Sequence, residues 1–309
     1  MSGPFVIVGA GQAGVQIAES LRQEKYDGPI TLIGAEAHAP YNRPPLSKRF
    51  MLDRPELASL AIRGPEALQR RQIDLQLHTQ VTAIDRQSRE VVLANGRRVS
   101  YGGVALTTGA RLRILPLPGA ELAGVFGLRT IDDALDIGAA LDQCLSTAAP
   151  LVVIGGGFIG LEIAATARKR GIEVTVLEGL GRLMSRVVAP IVSEAAARLH
   201  VAHGVRLQFD VRIAALEGRL GAVTAVRTAD GQLYPAGCVV VGVGQIDRRL
   251  LHIPGGRRAA LGAESAVHAE VLVLHHDAAG LLQGSRHVQR LVRVPARGLE
   301  PGGELGFLA

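Results

Sequence analysis

LVVIGGGFIGLEIAATARKRGIEVTVLE, Leu151 to Glu178, is the stretch on which the fold turns. It opens on a short apolar, β-branched run of the kind that forms a strand buried on both faces. A glycine turn follows, then a pattern with helical periodicity, then a second apolar strand that closes on an acid. That order is a βαβ unit. Upstream, FVIVGAGQAGVQIAESLRQEKYDGPITLIGAE, Phe5 to Glu36, repeats it. The distance from last glycine to acid is four residues longer in the upstream copy, and the added turn Tyr26, Asp27, Gly28, Pro29 takes up the difference.

Gly9, Gly11 and Gly14 fit GxGxxG, and so do Gly155, Gly157 and Gly160. The first glycine of such a set allows the tight turn, the second lets the backbone approach a pyrophosphate, and the third lets the helix pack closely on the strand. The unpaired N–H groups at the helix start then face the anion. Glu36 and Glu178, at the ends of the second strands, can accept from a ribose 2′-hydroxyl. A single GxGxxG is weak, but strand, glycines, helix, strand and acid in order, twice, point to two Rossmann-like dinucleotide-binding units in an α/β chain. Two such sites suggest a hydride relay. Glu178 favours NADH, because a carboxylate repels the 2′-phosphate of NADPH, while the nearby Arg182 opposes that preference.

Composition removes several function classes. The 309 residues are 48% hydrophobic and 20% charged, enough for about two domains with buried cores. Mean hydropathy is +0.24, yet no apolar run reaches the ~18 residues of a membrane span. The start of the chain has no basic region ahead of a long apolar run, so a cytoplasmic compartment is expected. The net charge of +6 comes from 31 Arg and 3 Lys scattered along the chain, without the aromatic interleaving of a nucleic-acid surface. Cys144 and Cys238 are far apart in sequence and form no CxxC, so they read as core thiols rather than a redox pair or metal site. His200 and His203 stand at i, i+3 without a nearby third ligand, and His275 and His276 would point to opposite faces of a strand. No metal is expected.

Between the βαβ units, residues 71–106 alternate around the Asn95-Gly96 turn and read as a β-meander. The proline-rich Leu115–Ala120 is a crossover, and Thr130 with Asp133 three residues later is a helix start. Boundaries fall near 113 and 244, giving 1–112 and 113–244 as the two nucleotide-binding domains and 245–309 as a tail.

At YNRPPLSK, Tyr41 to Lys48, the chain resembles the FAD-dependent ferredoxin reductases of the putidaredoxin and rubredoxin reductase type, within the glutathione-reductase-like two-dinucleotide flavoproteins. TTGARLRILPLPG (Thr107–Gly119), LRTIDDA (Leu128–Ala134), GGGFIGLEIA (Gly155–Ala164) and GVGQI (Gly242–Ile246) carry the likeness further. The resemblance implies FAD on the first unit and NADH on the second, with electrons leaving to a small ferredoxin or rubredoxin. It implies that Gly9, Gly11, Gly14 and Glu36 bind the ADP part of FAD with Val81 near the adenine. Arg43, Lys48, Thr108, Gly109 and Arg129 would complete the flavin pocket. Lys48 and Glu162 would form the catalytic pair, and Gly155, Gly157, Gly160 and Glu178 would hold NADH. On their own, Arg43 and Lys48 also read as solvated surface charges. The related disulfide reductases place a cysteine pair just ahead of the matching lysine, and no cysteine stands there in this chain.

After GVGQI the likeness stops. The family continues into a strand ending in a Gly-Asp pair that grips the flavin, and then an interface domain, whereas residues 247–309 contain no Gly-Asp. Eight Arg and five of the nine His crowd into that tail, and only Glu270–Leu274, EVLVL, reads as a strand. The fold expected is therefore the two-Rossmann FAD/NAD(P)-binding class with an incomplete C-terminal part. The abrupt change suggests a shifted reading frame after Gln245. The other forward frames of the gene would then show an alanine-rich strand ending in Gly-Asp. Three readings stand open: an active reductase with an unusual tail, a non-catalytic nucleotide-binding remnant, and an NADH oxidase-like relative.

Overall fold

The computed structural model describes residues 3–112 and 114–242, and beyond them the backbone of the strands at 258–260 and 270–274. The chain divides into two units, Met1–Pro40 with Arg63–Gly109 and Ile253–Ala309, and Tyr41–Ile62 with Ala110–His252.

In the first unit, β1 (Phe5–Val8) lies between β2 (Ile30–Ile33) and β7 (Gly103–Leu106), parallel to both, and β3 (Ile73–Gln76) continues the parallel sheet beyond β2. All four residues of β1 and all four of β7 are buried, which is why neither run alternates. Helix α1 (Gln12–Gln23) starts at the glycine turn and buries Val15, Ala18 and Leu21. Its Glu19 is also buried, and Arg63 Nε at 2.7 Å and Arg71 Nη1 at 3.2 Å compensate the charge. The helix α3 (Pro65–Arg70) leads into β3.

The alternating stretch 71–106 is not one meander. Only β4 (Val81–Asp85), β5 (Glu90–Leu93) and β6 (Arg98–Ser100) form the antiparallel sheet, with Gly96 at φ +82 in the turn between the last two. The flanking β3 and β7 join the parallel sheet instead, because β7 in particular is apolar enough to be covered on both faces. Along the other side of β7 runs β17 (Glu270–Leu274), antiparallel, with β16 (Arg258–Ala260) beside it. The strand expected at EVLVL is therefore present. His275, His276 and the remaining expectations for the tail lie outside the described residues.

The second unit repeats the plan. Strands β11 (Val205–Gln208), β10 (Val174–Leu177), β9 (Leu151–Ile154), β15 (Cys238–Val241) and β8 (Val125–Phe126) form a parallel sheet in that order. Helix α5 (Phe158–Lys169) crosses between β9 and β10, and α6 (Pro190–Ala202) precedes β11. An antiparallel sheet of β12 (Ile213–Arg219), β13 (Ala222–Thr228) and β14 (Leu233–Pro235) stands before β15. The segment from Tyr41, with a 3₁₀ turn Pro44–Ser47 and α2 (Arg49–Asp53), buries Leu46, Phe50 and Met51 in one core with Ile131, Ile137, Leu141 and Ile163. Arg54 and Arg170 both bond the Asp142 carboxylate, and the Arg54 hydrogen bond foremost holds that carboxyl below its usual range.

Helix α4 (Ile131–Thr147) begins where its sequence says it should. Thr130 Oγ1 accepts from Asp133 N at 3.1 Å, and Asp133 Oδ2 accepts from Thr130 N at 2.7 Å, a reciprocal cap. Thr130→Ala should cost about 1 kcal/mol of stability, read as a lower denaturant midpoint, and Thr130→Ser should restore most of it. Among the described residues no helix is long and apolar enough to cross a membrane.

Candidate dinucleotide sites

In the second unit the turn after β9 is shaped by contacts that exclude side chains. Gly155 sits at φ +105, a left-handed geometry, and its N–H donates to Leu177 O at 2.8 Å. A Cβ at Gly160 would lie 2.3 Å from Gly155 O, so only glycine lets α5 come this close to β9. Gly157, the cap of α5, differs. A Cβ there would meet nothing nearer than Gly242 O at 3.8 Å. Backbone conformation therefore asks for glycine at 155 and packing asks for it at 160, but neither does at 157, and the open space at 157 lies at a helix start with no acidic residue in its first turn. An open approach to free N–H groups of this kind is what binding a pyrophosphate would require.

Glu178 follows β10 and reaches back to this turn. Its Oε2 accepts from Gly156 N at 2.6 Å and its Oε1 from Leu180 N at 2.9 Å, so the carboxylate is fixed against the glycine turn. Arg182, the cation weighed against it, is committed elsewhere. Its Nη1 donates to Val188 O at 3.0 Å and Ser193 Oγ at 2.7 Å, and its Nη2 to Ser185 O at 2.7 Å. Arg182 is thus a clamp between the loop 183–189 and the first turn of α6, and Ser193, fully buried, passes the tie on to Leu183 O at 2.6 Å.

The first unit carries the same turn. Gly9 is at φ +114 and donates to Ile33 O at 2.7 Å, and a Cβ at Gly14 would lie 2.0 Å from Gly9 O. At Gly11 a Cβ would meet nothing within 4 Å. Glu36 is half-buried after β2, with its carbonyl accepting from His78 N at 2.9 Å. Val81 opens β4 opposite Leu93, and Thr108 and Gly109 are exposed beyond the end of β7.

Thr107, buried, is a residue that sequence reasoning passed over. Its Oγ1 donates toward Gly9 O at 2.7 Å, and its backbone oxygen would be 2.2 Å from a Cβ at Gly9. Gly242 is its counterpart after β15, 3.2 Å from Gly160 Cα to its own Cβ position. The repeat thus extends to a third strand, and the signal for it was the residue directly after each buried strand.

Within the second unit the LSK segment meets α5. Lys48 Nζ is 2.8 Å from Glu162 Oε1 and 3.2 Å from Pro44 O. Ser47, buried and not singled out from sequence, donates from its hydroxyl to Glu162 Oε2, while Thr166 Oγ1 donates to Ser47 O at 3.0 Å. Both carboxylate oxygens of Glu162 are therefore occupied by neighbours on one short segment. Arg43 lies over the Tyr41 ring at 4.9 Å and donates to Tyr41 Oη at 2.8 Å and Arg129 O at 2.6 Å, which removes it from the class of freely solvated charges. Arg129 N donates to Asp133 Oδ2 at 2.8 Å. His203 Nδ1 is 2.8 Å from Leu199 O, burial lowers the His200 pKa, and among the described residues no three side chains could share a metal ion.

Comparison with known proteins agrees with this geometry. The profile of the family described as Pyridine nucleotide-disulphide oxidoreductase matches residues 3–271, running past Gln245 where the motif likeness ends. Rhodocoxin reductase of Rhodococcus erythropolis is 41% identical over 242 residues, 78% of this chain and 56% of that protein. Putidaredoxin reductase CamA of Pseudomonas putida is 39% identical over 246 residues, covering 78% and 57%. Among solved structures, the ferredoxin reductase for the CYP199A2 system of Rhodopseudomonas palustris superposes with a TM-score of 0.74 at 43% identity, over 78% of this chain and 58% of that one. The chain thus spans little more than half the length of these relatives.

Proposed function

The chain belongs to the pyridine nucleotide-disulphide oxidoreductase family, and from that premise we propose that it is a cytoplasmic flavoprotein reductase that takes a hydride from NADH onto FAD and passes electrons to a small iron–sulfur protein of the ferredoxin or rubredoxin type. The observation that carries the reading is the pair of glycine turns. In each, the first glycine is required by its positive φ and the third by packing of helix on strand, whereas Gly11 and Gly157, at the helix starts, have room beside them that a pyrophosphate would use. The named relatives, a rhodocoxin reductase and a putidaredoxin reductase, support the choice of acceptor.

Gly9, Gly11, Gly14, Glu36, Val81, Thr108 and Gly109 would hold FAD from the first unit. Gly155, Gly157, Gly160 and Glu178 would hold NADH from the second. Bound FAD would supply the exchange between a two-electron hydride and single electrons. In the second unit Glu162 pairs with Lys48 and balances its charge, Arg43 is held by Tyr41 Oη and Arg129 O, and the Arg129 backbone is anchored by Asp133. No thiol relay operates at the LSK segment, since no cysteine precedes Lys48 there.

Free FAD tests the reading directly. A ligand that binds the folded chain alone stabilises it by RT ln(1 + [L]/Kd), about 2.7 kcal/mol at 100-fold over Kd, so millimolar FAD should raise the melting temperature by several degrees. The complex should show the yellow flavin spectrum, bleached by NADH, and should then support ferredoxin-coupled reduction of a cytochrome. No melting shift at millimolar FAD would overturn the flavoprotein assignment, and oxygen consumption without ferredoxin reduction would replace the acceptor.

A further inference from the structure

We propose that Cys144 and Cys238 are a disulfide site within the second unit, closed by a peroxide and reopened by thiols. They are the only two cysteines of the chain and stand 94 residues apart in sequence, yet their Sγ atoms are 3.4 Å apart. Both are free and buried. Cys144 lies in the last turn of α4 and Cys238 is the first residue of β15, so the pair joins a helix end to a strand start.

The backbone around them is arranged to keep the sulfurs facing. Ala149 N donates to Cys144 O at 2.9 Å, and Gly237 N donates to Pro150 O at 2.8 Å, which ties the exit of α4 to the entrance of β15. A Cβ at Gly237 would lie 3.0 Å from Cys144 Sγ and 2.6 Å from Ala149 Cβ, so the glycine leaves the sulfur its place beside the strand. Closing the bond requires the sulfurs to approach to about 2.05 Å, a movement of roughly 1.4 Å. Side-chain rotation at the end of a helix supplies motion on that scale.

Access comes from the same helix end. Leu145, Ser146, Thr147 and Ala148, the residues just past Cys144, are all exposed. Fraying of one terminal turn is a low-cost local opening and uncovers Cys144 without unfolding the sheet. In the reaction a Cys144 thiolate attacks one peroxide oxygen and the O–O bond breaks, releasing water and leaving a sulfenic acid. Cys238 sulfur then displaces its hydroxyl as a second water. Two S–H bonds are lost, one S–S bond forms, and two electrons and two protons pass to hydrogen peroxide. The pair is remote in sequence from the segment ahead of Lys48, so this is not the thiol relay of the disulfide reductases. The link would restrain the unfolded chain by closing a loop of more than ninety residues.

The test counts thiols on the chain as it exists and does not depend on enzyme activity or bound flavin. Thiol titration in guanidinium should find both cysteines free before treatment and neither after native exposure to hydrogen peroxide. Peptide mapping should then join the Cys144 and Cys238 peptides with the loss of two hydrogens. Dithiothreitol should restore both thiols, and the oxidised form should melt several degrees higher. Cys144→Ala and Cys238→Ala should each lose the reversible melting shift. Retention of both thiols, linkage between chains, or sulfinic acid on one cysteine with the other free would overturn the proposal. So would a reversible melting shift that persists in either alanine variant.

Discussion

Gly160→Val should abolish measurable NADH binding while leaving the response to FAD in place. The added Cβ alone would lie 2.3 Å from Gly155 O, and the rest of the side chain would push α5 off β9. Overpacking of this kind costs about 1–3 kcal/mol or more, and it would displace the N–H groups proposed to meet the pyrophosphate. A fall of about 100-fold or more in affinity, roughly 3 kcal/mol, is expected by fluorescence or calorimetric titration. Gly14→Val is the mirror experiment, since its Cβ would lie 2.0 Å from Gly9 O, and it should remove the FAD-induced melting shift while NADH still binds. Gly157→Ala sharpens the comparison. With nothing closer than 3.8 Å, it should leave the melting temperature nearly unchanged and still weaken NADH binding. Undiminished NADH affinity in Gly160→Val would show that this turn is not the nucleotide site.

Glu178→Gln should narrow the preference for NADH over NADPH, by roughly tenfold to a hundredfold, because a hydrogen bond to a charged acceptor contributes about 1.5–3 kcal/mol. Glutamine rather than alanine is the informative change. Glu178 accepts from Gly156 N and Leu180 N, and the amide oxygen keeps one of those bonds while the repulsion toward a 2′-phosphate is removed. Arg182→Ala should behave differently. Its guanidinium is spent on Ser185, Val188 and Ser193, so its loss should loosen that loop and lower stability without a selective loss of NADPH affinity. Equal affinity of the unaltered protein for both coenzymes would sink the assignment of selectivity to Glu178.

The βαβ units were legible in the sequence because the forces that make them are local. A strand buried on both faces must be apolar throughout, the turn after it must be glycine where φ is positive, and the helix must begin where N–H groups are free. Each demand falls within ten residues of the next, as it does from Leu151 to Gly160. The cap of α4 was legible for the same reason, since Thr130 and Asp133 satisfy one another across a single turn.

Partnerships between distant residues were not legible, because a parallel sheet brings together segments that its crossovers separate. The third strand of each unit placed Thr107 against Gly9 and Gly242 against Gly160, and although each follows an apolar strand, the chain order does not show which glycine it meets. Ser47 and Glu162 are 115 residues apart, so nothing near Lys48 could show that a buried hydroxyl would occupy the second carboxylate oxygen. Arg182 stood close enough in sequence to weigh against the NADH preference, and tertiary packing turned it toward Ser185 O, Val188 O and Ser193 Oγ instead. The cysteines were far apart by number and adjacent in space, since β15 lies beside β9 and runs past the end of α4. Sequence by itself determined which segments form the glycine turns of the two βαβ units, through local sterics and backbone hydrogen bonding. Tertiary structure alone decided which side chains meet there, because the order of strands in the sheet sets those contacts and the order of residues in the chain does not.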